Sequence, residues 1–421
     1  PISLAAADLD GNGTLSVFVG GRVVAGRYPE PAASLLLGTS TGRLAPRQRF
    51  DALGLVTAAC FTDLDSNGFP DLVVAREWDC PAFLRNEGGK LVAWKPVVRS
   101  GGRELSDAEW SGWWNGVTAG DLDGDGRMDL VLANWGRNTP FHASHESPLR
   151  LHFGDLGSGG IDLVESAFDP AMQRDWPRRE LPMFRMVLPQ LVERFPTHAA
   201  FAAADLRAVL GEHAARMQRR EVQWLDSSIL LNRGDFLELV PLHPVAQRAP
   251  AFGVVVADMD GDGDEDVFLS QNWSAAQPMV QRNDAGRGLW LVNDGKGGLA
   301  PDESTGVAVY GDGRGAAAAD FDRDGRVDLV VAQNAATTTL WRNVRARPGL
   351  RVRLKGPPGN PNGFGAMVRL VHEGRPGPAR ECHGGSGWWS MDSPVAVHGN
   401  PSNADAIEVR WPGKPWKRQP I

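Results

Sequence analysis

The chain has 421 residues, 50 of them Gly and 30 Pro, with a formal net charge of −7. That Gly and Pro content stays below the disordered range, and an ordinary apolar fraction of 42% argues for turn-rich all-β structure instead. No basic cluster points to nucleic acid, and no run approaches the roughly 18 apolar residues of a membrane span. Cys60, Cys80 and Cys382 form neither a disulfide framework nor a metal spacing. A Cys60–Cys80 bridge fits the numbers, and free buried thiols fit better. The chain opens on Pro1, in a strand-like run without a starting Met, and reads as a fragment. The lack of a signal peptide therefore carries no information about location.

In chain order, one short acidic pattern repeats. Asp8, Asp10, Asn12 and Gly13 begin it, with Ser16 in the place of a closing carboxylate. Asp63, Asp65, Asn67, Gly68 and Asp71 complete it, as do Asp121, Asp123, Asp125, Gly126 and Asp129. A shortened copy from Asp155 to Asp162 lacks the middle acids and reads as a remnant that binds no ion. The fullest copy is Asp258, Asp260, Asp262, Gly263, Asp264, Glu265 and Asp266; the last is Asp320, Asp322, Asp324, Gly325 and Asp328. The five good copies hold 19 of the 51 acidic residues. Short apolar runs flank them, such as 253–257 and 267–269, and read as buried strands.

Oxygen ligands at positions 1, 3, 5 and 9, with Gly at 6 for a sharp turn, suit a hard cation such as calcium. The position-7 residue would add its backbone carbonyl: Phe69, Arg127, Asp264 and Arg326. Several carboxylates closing on one point without a cation would be costly. The alternative is a metal-free turn, since Asp and Gly both suit tight turns. Five matches to one template make the signal specific.

Loop starts at 8, 63, 121, 155, 258 and 320 give three intervals that agree on a unit of roughly 60 residues, the size of a propeller blade with its loops. A second half-motif, an apolar strand ending in Asn before turn residues, recurs at Asn86, Asn232, Asn293 and Asn343. Between about 178 and 220, Leu181, Phe184, Leu188, Leu191, Val192 and Phe195 recur at helical spacing. Pro189 breaks that helix, and residues 199–210 form a second one ended by Gly211. The expectation is a helical hairpin of about 54 residues inserted in the unit that starts at Asp155, packed on the rim or serving as a lid or docking element. Residues 345–348 read as a linker. Alternation at Leu350, Val352, Leu354, Val368, Leu370, Val395, Val397, Ile407 and Val409 marks a small β domain over 349–421.

Other candidates are weaker. Gly38 to Gly42 satisfies G-x-S-x-G around Ser40, but Pro46 and the arginines after it make a poor helix for a nucleophile elbow. The stretch from His383 to Gly387 hints at an oxyanion loop and fails at Trp388. His142, His145 and His152 lack ligand spacing. Trp110, Trp113, Trp114, Trp388 and Trp389 could stack on sugar rings, or fill blade interfaces and a small core.

The loops and half-motifs resemble FG-GAP/VCBS repeats of integrin α-chain propellers and bacterial surface proteins. Residues 362–368 (Asn-Gly-Phe-Gly-Ala-Met-Val), Arg380 with the Gly-Ser-Gly-Trp-Trp-Ser-Met-Asp-Ser run at 385–393, and Trp411-Pro412-Gly413 resemble the ASPIC/UnbV domain, with Trp389, Met391 and His398-Gly399-Asn400 as departures. The resemblance implies a calcium-stiffened β-propeller of seven blades, with six also fitting the countable motifs, followed by a small C-terminal β domain. It also implies an extracellular, cell-surface or periplasmic setting. The expected function is a non-catalytic binding or adhesion module with several structural Ca2+ ions and an unknown protein or glycan partner. A lectin-like propeller is the second reading, and an enzyme using the channel the third.

Overall fold

The computed structural model describes residues 3–40, 43–157, 159–274 and 281–421. It is mostly β, and among the described residues its first part holds five sheets with the strand order of propeller blades, antiparallel except where Val98–Ser100 runs parallel to Leu237–Pro241 in the third. The first strands of these blades are Ser3–Ala7, Leu55–Thr62, Gly116–Gly120, Ala251–Ala257 and Asp312–Ala319. They lie side by side in chain order. Their sequences are short, small and apolar, and Leu55–Thr62 is buried at every residue, which suits strands packed on both faces. Blades one, two and four continue through four consecutive strands. Blade five has three strands among the described residues, ending at Thr339–Trp341.

Blade three is interrupted. Its second strand, Asp129–Ala133, pairs with Ser228–Asn232, almost a hundred residues later. The chain between them builds a separate four-stranded sheet from Leu149–Gly154, Asp162–Asp169, Arg174–Pro177 and Gln218–Val222. Four short helices follow the third of these strands: Leu181–Val187, Leu191–Arg194, His198–Ala202 and Leu206–Leu210. The first two separate next to Pro189, which cannot continue the amide ladder. Asp205 caps the last helix by accepting from the Ala208 N–H, which splits the second predicted helix in two. Leu181, Phe184, Leu191, Phe201 and Val209 bury against Leu156 and Val164 of the inserted sheet.

The blade count departs from the expected seven or six for this reason. The Asp155 copy is a hairpin of the insertion, not the start of a blade. The helical elements fall at 181–216, inside the expected 178–220; they belong to a larger insertion that spans 134–227, and Asn232 closes the unit begun at Asp121. Ser158 of that copy lies outside the described residues.

The C-terminal part pairs Leu350–Arg353 with Val395–His398, and groups Met367–His372 with Arg375–Pro376, Arg380–Glu381, Ala404–Arg410 and Lys417–Pro420. It does not hang on a free linker. The Arg347 N–H donates to Asp260 O and the Gly349 N–H to Gly325 O, both in acidic loops. Residues 383–393 run between the blades and touch the first strand of each. His383 lies against Cys60 of blade two. The Ala6 N–H of blade one donates to Gly384 O, and the Gly387 N–H donates to Val117 O of blade three. A Cβ on Gly387 would come within 2.7 Å of Val254 O of blade four. The Ser393 N–H donates to Ala318 O of blade five, and Asp392 Oδ1 accepts from the Ala318 N–H. One eleven-residue segment can meet five strands only if they surround it, so the tail fills the centre of the propeller.

Candidate metal centres and their surroundings

Each good acidic loop joins the first and second strands of a blade, so all five sit at the same end of the propeller. Their turns are fixed by local chemistry. The position-6 glycines have φ of 83° to 111° (Gly13, Gly68, Gly126, Gly263, Gly325), a region closed to most side chains. The Phe69, Arg127, Asp264 and Arg326 N–H groups at position 7 donate to the Oδ1 at position 5. These turns hold the residues whose carbonyls were expected to serve as ligands.

Four groups of three carboxylates converge, with ligand oxygens within 4.8 Å of one another: Asp63, Asp65 and Asp71; Asp121, Asp123 and Asp129; Asp258, Asp260 and Asp262; Asp320, Asp322 and Asp328. The first Asp and the closing Asp of every such loop are buried. Asp63, Asp121 and Asp320 each keep one buried Oδ1 with no hydrogen-bond donor, and so does Asp123. A buried carboxylate oxygen without a donor is costly, and a hard divalent cation is the partner that an all-oxygen donor set suits. Burial pushes Asp63 and Asp121 up to about 6, Asp71 to about 7, and Asp129 and Asp266 to about 8. Neighbouring carboxylates add to this, while N–H donors from Gly68, Asn86, Gly126, Asn232 and Asn293 oppose it. The residues present therefore fit the expected ion.

Position 5 is drawn away in two loops. Asp125 pairs with Arg127, and Asp324 with Arg326 and Arg342. The loop at Asp8 differs more. Arg47 Nη1 donates to Ser16 Oγ at 2.8 Å and Nη2 to Asp10 Oδ2 at 3.2 Å. A guanidinium bridges Asp10 and Ser16 of this loop; with only Asp8 and Asp10 as acids it gathers no group of three carboxylates, although Asp10 keeps a buried Oδ1 without a donor.

The Asn half-motif has a defined role. Asn86, Asn232, Asn293 and Asn343 each donate their own N–H to Oδ1 of the closing Asp of their blade. Each side-chain amide then donates to the second residue of the preceding blade's loop: Leu9, Leu64, Leu122 and Met259. The acidic loops are thereby linked from blade to blade.

The other candidates separate clearly. Trp110, Trp113, Trp114 and Trp388 are buried, and Trp114 lies in the core shared by blades two and three. They are core residues and not a sugar platform. Trp389 alone of the five is exposed, at 61%, and it stacks on Trp388 with ring centroids 4.9 Å apart. Strand Ser34–Ser40 leads into strand Arg43–Phe50, with no helix behind it; Thr41 and Gly42 lie outside the described residues. His145 Nδ1 meets Gln223 Oε1 and His152 Nε2 meets Ser166 Oγ, so the loop histidines do not converge. Cys60, Cys80 and Cys382 are free thiols. No helix among the described residues is long and apolar enough to cross a membrane.

Sequence reasoning missed the charged groups around the tail. Arg380 lies 3.1 Å from Asp258 and 3.4 Å from Glu265. His383 Nε2 lies 3.1 Å from Glu381 Oε2; burial opposes its charge, but Cys60 and Glu381 outweigh burial and raise it well above its usual value. His383 and Glu381 are neighbours in the chain, but no local spacing could have paired Arg380 with Asp258 and Glu265, or His383 with Cys60, more than a hundred positions away.

Residues 63–132 match the family described as FG-GAP-like repeat. Residues 356–419 match the family described as ASPIC and UnbV. No curated protein matches the chain. Two solved structures, both of BBS1N in complex with ARL6DN, one soaked with lead and one with mercury, align over 90% and 82% of this chain and 92% of theirs. Identities are 11% and 8%, and TM-scores 0.28 and 0.24. Likenesses this slight add nothing to the fold derived above.

Proposed function

We propose that the chain is a non-catalytic, calcium-stabilised binding module of an extracellular, cell-surface or periplasmic protein, whose partner is a protein or a glycan. The FG-GAP-like repeat and the ASPIC/UnbV domain support a surface or binding role. The observation that carries the calcium reading is the buried Oδ1 without a donor on the first Asp of three loops, each inside a group of three acids. If free calcium exceeds Kd tenfold, each site adds about 1.4 kcal/mol. Four sites would then contribute a large share of the ~5–15 kcal/mol that holds a typical domain folded.

The test is a thermal melt of chelator-treated protein against added calcium, with magnesium as control. A large upward shift specific to calcium is expected. No shift, together with metal analysis showing no retained ion, would reduce the loops to plain turns. Trp389, exposed and stacked on Trp388, favours a glycan as the second reading. A glycan screen of calcium-loaded protein, with Trp389→Ala as control, would decide it: binding that survives the substitution speaks against this platform.

A further inference from the structure

The first Asp of each loop with an assembled carboxylate group is held from outside the propeller. In all four loops its Oδ2 takes the position-6 Gly N–H and, besides, a donor from the C-terminal domain. Arg410 Nη2 donates to Asp63 Oδ2 at 2.5 Å. The Ala379 N–H donates to Asp121 Oδ2 at 2.8 Å. The Gly399 N–H donates to Asp258 Oδ2 at 2.8 Å, with Arg380 Nη2 at 3.1 Å. Arg351 Nε lies 2.5 Å from Asp320 Oδ2. The contact at Gly399 is close enough that a Cβ there would stand 2.2 Å from that oxygen. The fifth loop supplies the contrast: Asp8 accepts from Asn12 and Gly13 of its own loop, and Arg47 of the same blade ties Asp10 to Ser16. The four loops that gather three acids are the four whose first Asp is held by the tail.

We propose that the C-terminal domain supplies the outer shell of the four metal centres, so that ion binding and docking of that domain form one linked equilibrium; this rests on the calcium reading above. A carboxylate that ligates with one oxygen is oriented by what bonds the other, and removing such a partner costs about 10–100-fold in metal affinity. Linkage makes the effect reciprocal: whatever the tail adds to ion affinity, the ion adds to tail docking. Arg410 and Arg351 are positioning residues in this scheme, since a guanidinium has donors only and no lone pair to offer an ion. The geometry also explains why the tail lies over the loop end of the propeller and not only in its centre.

The experiment uses the full chain, stripped with chelator and titrated with calcium by calorimetry, as wild type, Arg351→Gln, Arg351→Lys, Arg410→Gln and Arg418→Gln. Arg351 and Arg410 each touch one centre. Arg418 pairs with Glu408 inside the C-terminal domain and is the charge control. One site in Arg351→Gln is expected to weaken about 10–100-fold, with partial recovery in Arg351→Lys and no change in Arg418→Gln. Trypsin cleavage after Arg345, in the connection to the tail, gives the second readout. Calcium is expected to protect it, and the Gln variants should need more calcium for equal protection. If Arg410→Gln does not fold, Arg351→Gln carries the test, because its side chain is a third exposed. Wild-type affinity at every site in Arg351→Gln, or equal weakening in Arg418→Gln, overturns the linkage and leaves the calcium reading intact. Wild type that binds no calcium overturns both.

Discussion

Asn293 donates to Leu122 O at 2.8 Å across the boundary between blades three and four. Its amide also reaches Glu265 O in its own blade, while its N–H holds the closing Asp266. One side chain thus joins two acidic loops and two blades. Asn293→Ala leaves two buried carbonyls without this donor, at about 1–3 kcal/mol. Urea melts should show that loss with an unchanged denaturant slope. A cost within ~0.3 kcal/mol would mean that water replaces the amide and that the half-motif is a turn signal only.

Arg47 makes the first blade a built-in control for the metal assignment. Calorimetry of the stripped wild type should count four calcium ions, with none at the Asp8 loop. Arg47→Ala with Ser16→Asp removes the bridging guanidinium and restores the closing acid, and should raise the count to five. A fifth ion in wild type would show that calcium displaces Arg47, and an unchanged count in the double variant would place the defect elsewhere in the loop.

The tryptophans separate core from surface by the same reasoning. Trp114 is fully buried between blades two and three. Trp114→Ala should cost about 3–5 kcal/mol, enough to lower the melting temperature markedly or prevent folding. Trp389→Ala, at an exposed position, should cost no more than its stack on Trp388, about 0.5–1.5 kcal/mol. Comparable losses in the two variants would contradict the placement of Trp389 outside the core.

These contrasts show what the sequence could and could not convey. The acidic loops were legible because ligand spacing is local: nine residues contain the acids, the turn glycine and the strand ends. The helical insertion was legible through Leu181, Phe184 and Leu191, but its extent was not, because the inserted strands 149–154 and 162–169 alternate like any blade strand. The spacing between the Asp155 copy and Asn232 looked like one enlarged unit. Only the pairing of Asp129–Ala133 with Ser228–Asn232 shows that the insertion lies inside blade three. Likewise, composition separated the tail from the propeller but gave no sign that residues 383–393 lie at its centre. That placement depends on contacts such as Ala6 with Gly384 and Ala318 with Asp392, which no periodicity encodes.

Asp392 gives the pH dependence of this central contact. It lies in the segment between the blades, accepting from the Ala318 N–H. Burial pushes its pKa from 3.8 up to about 6, against the lowering effect of that N–H and of His383. A folded-state value above the unfolded one means that the folded protein holds the proton longer. The stability contributed is therefore complete below about pH 4, falls as pH rises from about 4 to 6, and stays low above that. The size is about 3 kcal/mol at one pKa unit per ~1.4 kcal/mol. Asp392→Asn keeps an acceptor for Ala318 and cannot ionise. In urea melts it should be more stable than wild type by about 2–3 kcal/mol at pH 7.5 and equal to it at pH 4. Comparing the two proteins at each pH cancels the titration of the acidic loops, which they share. A variant less stable than wild type at pH 7.5 would mean that Asp392 is held ionised in the fold, with His383 outweighing burial.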